Sequence, residues 1–264
     1  MKYVLVTGAY GGMGKSAVKQ LKTAGYYVFA LDLKECERED NVTPIAADLT
    51  SEADVINAFN MIKSVTDKLY AIVHFAGVYV LDSLVEISHE KLARAFEINL
   101  FGACRVNRIF LPLLKKRSRI VLTTSELAPL SPLPFTGIYA VTKSALDKYA
   151  YSLRMELQLL DISVTVVRPG AVKTDMLGVS TSALDRFCST TTHYSCNAKR
   201  FRSVVDKVEA RNVPPKKIAA LVERILKKRK PRFVYSCNRN PLLLILNVLP
   251  KRFQTYVIGR ILKS

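Results

Sequence analysis

Tyr139 and Lys143 stand four positions apart in "GIYAVTKSA" (137–145), inside a helical pattern, so one helix turn brings both side chains to the same face. A tyrosine is a poor base near neutrality because its ordinary pKa is about 10. An ammonium one turn away, together with a cationic nicotinamide, stabilises the phenolate and lowers that value, and the pair can then exchange a proton with an alcohol hydroxyl. The alternative is a tyrosine ring lying along a lysine stem as plain surface packing. A second group sits at the front of the chain, where "TGAYGGMG" (7–14) holds Gly8, Gly12 and Gly14. Glycines there permit a tight turn and close backbone approach to a pyrophosphate, which a helix N-terminus then holds with free N–H groups. Three glycines can also simply make a turn. Asp32 lies 24 residues after Gly8, where a carboxylate can accept hydrogen bonds from a ribose and repel a 2′-phosphate. NAD is favoured over NADP on that ground, with Lys34 close by and a plain turn residue as the other reading of Asp32. Asp48, in "AADLT" (46–50), either borders an adenine or caps the helix beginning near Ser51.

These residues need a scaffold that brings distant segments together. Short apolar runs "YVLVTG" (3–8), "YVFALDL" (27–33), "AIVHFAG" (71–77), "RIVLTTS" (119–125) and "ISVTVVRPG" (162–170) alternate with helical patterns at about 52–65, 88–115 and 139–160. Runs of this kind are strands buried on both faces, and alternation of β and α predicts an α/β fold, a Rossmann-like doubly wound parallel sheet. One domain over 1–235 is expected at this length, with a basic extension over 236–264. From Asp175 to Pro215 the pattern dissolves into Ser, Thr and Cys with scattered helix signal, which predicts a substrate lid over about 175–215.

The motifs together resemble the short-chain dehydrogenase/reductases, over nearly the whole chain. The resemblance rests on Thr7 to Gly14, Asp32, Asp48, the "AG" of "HFAG" (74–77), Asn99, Ser125, Tyr139 with Lys143, and "RPGAVKT" (168–174). It implies hydride transfer between a dinucleotide and a substrate carbon, with Tyr139 as acid/base and Lys143 as its electrostatic partner and ribose ligand. Ser125 would hydrogen-bond the substrate oxygen, and Asn99 would support a water in the proton relay. A strand-end hydroxyl and a helix-kink residue are the bland readings of these two. The dinucleotide would contact Gly8, Gly12, Met13, Gly14, Asp32, Asp48, Leu49, Ala76, Gly77, Asn99, Tyr139, Lys143, Pro169, Gly170, Val172 and Thr174, the last also readable as an N-cap. The chain departs from the family in having His74 and Phe75 where two asparagines are usual, and His74 is read as structural. Ser125 precedes Tyr139 by 14 positions, one more than is common, which leaves Thr124 as a competing hydroxyl.

Around the expected substrate position, "LSPLPFTG" (130–137) and "DMLGV" (175–179) contain no lysine or arginine to hold a carboxylate or phosphate. A hydrophobic secondary alcohol or ketone fits, and the segments 96–121 and 240–262 look like the hydroxysteroid and retinol dehydrogenase branch. A reductase of carrier-bound 3-oxoacyl groups and a non-catalytic dinucleotide sensor are the competing classes. The formal charge is +18, and residues 224–264 carry eleven Lys/Arg and no acid. Such a segment attracts an anionic partner. Its interleaved Leu, Ile, Val, Phe and Tyr make it amphipathic, suited to a membrane interface or to packing on the domain or a second subunit. The family commonly forms dimers or tetramers, so a homodimer or homotetramer is expected; no nucleic-acid-binding motif is present. Five cysteines without a CxxC pair argue against a disulfide framework and a zinc site, so no metal is expected. The chain opens directly into a strand-like run, without a signal peptide, and its longest apolar run, 242–249, is far short of the roughly 20 residues that span a bilayer. A cytoplasmic protein follows from both, with peripheral membrane contact left to the tail.

Overall fold

The computed structural model describes residues 1–34, 36–209 and 211–263. Its strands are β1 (Lys2–Thr7), β2 (Tyr26–Asp32), β3 (Val42–Ala46), β4 (Leu69–His74), β5 (Leu114–Thr123), β6 (Ser163–Pro169) and β7 (Val234–Cys237). They form one parallel sheet in the order β3-β2-β1-β4-β5-β6-β7. The expected Rossmann-like doubly wound sheet is therefore present. Alternate side chains of each strand enter opposite layers. Leu5, Phe29, Ile72, Ile120 and Val164 pack with α2 (Glu52–Lys63), α4 (Gly102–Phe110) and α5 (Gly137–Leu157). Val4, Val6, Val28, Val73 and Val121 pack on the other side with α1 (Gly12–Thr23) and α8 (Pro215–Lys227). Burial of strands on both faces explains their continuous apolar runs. Strand order reverses between β1 and β4, and the crevice at the carboxyl ends of such a pair is where open α/β sheets bind ligands.

Two regions differ from the expectations. The helix expected over 88–115 is α3 (His89–Phe96), a π turn (Glu97–Phe101), α4, and a 3-10 turn (Leu111–Leu113). Pro112 lies in that last turn, and β5 begins at Leu114, five residues before the apolar run. Lys115, Lys116 and Arg117 hide this part of the strand because they are exposed. The region expected to be irregular contains α6 (Asp175–Thr190) and α7 (Ser195–Glu209). Ser, Thr and Cys give weak helix propensity, and tertiary packing overrides it. Leu184, Phe187, Ala198 and Phe201 close on Phe135 and Leu81. The turn between these helices is held by Glu86, whose carboxylate accepts from Thr191 Oγ1 (2.7 Å), Thr192 N (2.9 Å) and His193 N (3.1 Å). The C-terminal segment forms α9 (Pro241–Val248) and α10 (Lys251–Lys263). Among the described residues, no helix is long and apolar enough to cross a membrane.

Candidate active site

The chain leaves β1 at Gly8 with φ +66°, and a Cβ there would lie 2.5 Å from the Ala76 amide nitrogen. A Cβ on Gly12 would lie 2.5 Å from Thr174 Cβ, and one on Gly14 would overlap the Gly8 carbonyl oxygen. The glycines thus press the first βα turn against the end of β4 and the loop after β6. The N-cap of α1, Gly11, offers no side-chain acceptor, and the first turn carries no acid. Its N–H groups are left for an anion, where the helix dipole favours one. Asp32 lies at the end of β2 and accepts from Tyr10 N (2.9 Å) and Leu33 N (2.8 Å). A carboxylate with about four lone-pair sites retains capacity for ribose hydroxyls. This bare glycine cradle, uncapped helix end and carboxylate fit a dinucleotide.

Asp48 Oδ1 accepts from Thr50 N and Oγ1, both at 2.8 Å, while Ser51 provides the N-cap of α2. The capping alternative for Asp48 therefore gives way to a local turn. Leu49 is buried in the core, where a Cβ on Gly102 would touch it at 3.0 Å.

At the far end of the crevice, a cavity of about 190 Å³ joins Met13, Gly77, Pro169, Gly170, Val172 and Thr174 to Ser125, Tyr139 and Lys143. Tyr139 and Lys143 share a face of α5, with the ammonium 5.8 Å from the ring centroid. Ser125 hydrogen-bonds the Tyr139 hydroxyl, and Tyr79 packs on the tyrosine at 4.9 Å between centroids. Thr124 Oγ1 instead donates to Asp147 Oδ1 (3.2 Å), a carboxylate that also takes a bidentate pair from Arg168 at 2.9 and 2.6 Å. That geometry selects Ser125 over Thr124 as the hydroxyl beside the tyrosine.

Burial sets the electrostatics of the pair. Burial pushes the Tyr139 phenol above its ordinary range, which the Ser125 hydrogen bond only partly opposes. Burial also lowers Lys143 to about 8, and its Nζ donates to Thr123 O (3.2 Å). With desolvation dominant, Tyr139 is a neutral acid in the protein alone.

Asn99 is buried in the π turn with its amide fully engaged. Its Oδ1 accepts from Val78 N (2.7 Å), and its Nδ2 donates to Val78 O and Thr142 Oγ1, both at 3.0 Å. The side chain braces the turn after Gly77. His74 is enclosed between Thr7 Oγ1 (3.4 Å) and Asn107 Oδ1 (2.9 Å), and burial lowers it to about 4. It is a neutral structural histidine.

Glu126 escaped the reading of the sequence. It is buried on the cavity wall, its carboxyl raised by burial, and it accepts from Asn240 N (2.6 Å), tying the Ser125 loop to the start of α9. A charged residue after a catalytic-type serine carries no periodic signal, so only the tertiary contact reveals it. The remaining wall is largely apolar, with Leu127, Leu133, Phe201, Val205 and Leu243 beside Thr123, Thr124 and Thr136. The side chains of 175–179, expected beside the substrate, lie outside the described residues.

A family model described as short chain dehydrogenase matches residues 2–185. The chain is 24% identical over 231 residues to 3-ketodihydrosphingosine reductase of Bacteroides thetaiotaomicron, covering 87% of this chain and 85% of that protein. It is 32% identical over 191 residues to estradiol 17-beta-dehydrogenase 2 of Mus musculus, covering 67% of this chain and 50% of that protein. A crystal structure of 3-ketoacyl-(acyl-carrier-protein) reductase from Brucella melitensis, complexed with NADH, superposes with a TM-score of 0.72. The sequence identity is 21%, over 89% of this chain and 95% of that one.

Proposed function

We propose that this chain, which belongs to the short-chain dehydrogenase family, interconverts a hydrophobic secondary alcohol and its ketone, with NAD preferred over NADP. The observation that carries this reading is the Ser125–Tyr139–Lys143 set opening on one apolar cavity that runs back to Met13 and Thr174 of the glycine cradle. Gly8, Gly12, Met13 and Gly14 would hold the dinucleotide phosphates, Asp32 the adenosine ribose, and Lys143 the second ribose. The nicotinamide, when bound, supplies or accepts the hydride. Ser125 Oγ fixes the substrate oxygen beside Tyr139, and Tyr139 Oη gives its proton to that oxygen in reduction or takes it in oxidation. A phenol raised by burial is ready for the reductive direction. Taking a proton in oxidation requires positive charge near the ring, which Lys143 and a bound nicotinamide cation together provide. The apolar wall excludes water and accommodates a hydroxysteroid-like or retinoid-like substrate. The names of the Bacteroides and mouse relatives, a ketone reductase and a steroid dehydrogenase, support the same class.

Nicotinamide absorbance tests this with NAD and NADP against hydroxysteroids, retinol and medium-chain secondary alcohols. NADH formation with one of these is expected, and Tyr139→Phe should lower turnover by about 10²- to 10⁴-fold with dinucleotide binding retained. Turnover of Tyr139→Phe at the parent rate would overturn the assignment, and equal use of NADP would overturn the role of Asp32.

A further inference from the structure

Helices α9 and α10 have two different faces. The inner face belongs to the domain: Leu243 is buried on the cavity wall, Asn247 Oδ1 accepts from Ser131 N (2.7 Å), and Leu262 joins the lid cluster. Asn197 Nδ2 (2.6 Å) and Arg200 Nη1 (3.2 Å) donate to the Leu262 carbonyl. The outer face carries large apolar side chains without cover. Leu242, Ile245 and Val248 follow at three-residue spacing on α9, and Phe253, Tyr256 and Ile261 project from α10. Their exposure runs from 50% at Ile261 to 85% at Val248, and the six are grouped on two consecutive helices, where exposed apolar residues are ordinarily scattered singly. Arg252, Arg260 and Lys263 line a shallow depression on α10 together with Thr255 and Tyr256.

We propose that the outer face of α9 and α10 docks on an anionic lipid bilayer, lying in its interface. Apolar residues and cations on one short amphipathic segment match the two attractions of such a layer, acyl chains below and acidic headgroups above. A second copy of this chain is a poorer occupant. Self-pairing would set cations against cations, and residues 224–264 offer no acid to relieve them. Nucleic acid would use the charge and leave six apolar side chains in water. Docking does not depend on the oxidoreductase reading, but it deepens it. Leu242 faces outward beside Leu243, so α9 alone separates the substrate cavity from the docking face. A hydrophobic alcohol partitions into the same layer.

The test is co-sedimentation of the full chain with vesicles of phosphatidylcholine alone and of phosphatidylcholine with phosphatidylserine. Each cation near an anionic surface is worth about fivefold in partitioning, so at least a tenfold preference for the mixed vesicles is expected, weakening with salt. The double variant Ile245→Glu/Phe253→Glu should lose about tenfold or more of the binding while keeping its unfolding midpoint and dinucleotide affinity. If that variant does not fold, Val248→Asp, at the most exposed position of the face, serves instead with the same expectation. Equal sedimentation of parent and variant, or none of the parent at low salt, overturns the proposal. Conversion of a dimer to a monomer by the variant, without vesicle binding by the parent, assigns the face to a second copy and overturns it too. All these readouts are independent of turnover.

Discussion

The crevice that fits a dinucleotide and the wall of the cavity beside Tyr139 are built by different means. In the first, backbone meets backbone: Gly8 lies on the Ala76 amide, and Gly14 lies on the Gly8 carbonyl, with no space for a single Cβ. In the second, side chains do the closing. Phe201 lines the cavity and interlocks behind it with Phe135, Phe187 and Leu262, Glu86 holds the turn between α6 and α7, and Asn247 reaches Ser131 across 116 positions of sequence. A wall of side chains can change shape by substitution while the chain path stays. A cradle of apposed main chains cannot. The cradle is therefore the rigid half of this molecule and the cavity wall the adjustable one.

Substitutions in each half should separate the two properties. Gly14→Ala gives the largest expected effect, because the new methyl overlaps a carbonyl oxygen that cannot rotate away. Overpacking of this kind costs about 3 kcal/mol. Dinucleotide affinity should fall at least tenfold, measured by calorimetric titration beside a denaturation curve. Unchanged affinity would break the claim that the cradle has no slack.

His74 gives an effect of similar size that appears only in acid. Its native value of about 4 lies below the ordinary 6.5, so the unfolded chain binds more protons between these limits. Stability from the neutral histidine is fully present above about pH 6.5 and is lost as pH falls toward 4, by about 3 kcal/mol at most. Urea midpoints at about pH 7 and pH 4 should therefore converge in His74→Gln, which keeps a hydrogen-bonding side chain and does not titrate. The same acid loss in the variant would refute the assignment.

Asn247→Ala gives the smallest effect. It removes one hydrogen bond between α9 and the loop at Ser131, worth about 1 kcal/mol. KM for a hydrophobic substrate should rise several-fold with the dinucleotide Kd unmoved, measured by steady-state kinetics and titration. A matching loss of dinucleotide affinity would show that the two halves are coupled.

The cradle half was legible because its signals are local. Each strand is a short apolar run, the glycines sit beside the strand they follow, and Tyr139 and Lys143 meet through helix periodicity alone. The helices within the segment expected as a lid were not legible, since "TSALDRFCSTTTHYSC" has weak helix propensity and becomes helical against Phe135 and Leu81, far away in the chain. Glu126 was not legible either, because its partner Asn240 lies 114 positions on.

By itself, then, the sequence determined the doubly wound sheet, the glycine turn and the spacing that places tyrosine and lysine on one helix face. Only the tertiary structure decided that Ser125, and not Thr124, meets Tyr139, that Asn99 braces a π turn, and that burial raises the tyrosine's proton affinity. The physical reason is range. Periodicity and turn chemistry act over a few residues, whereas desolvation and side-chain packing depend on what the rest of the chain brings alongside.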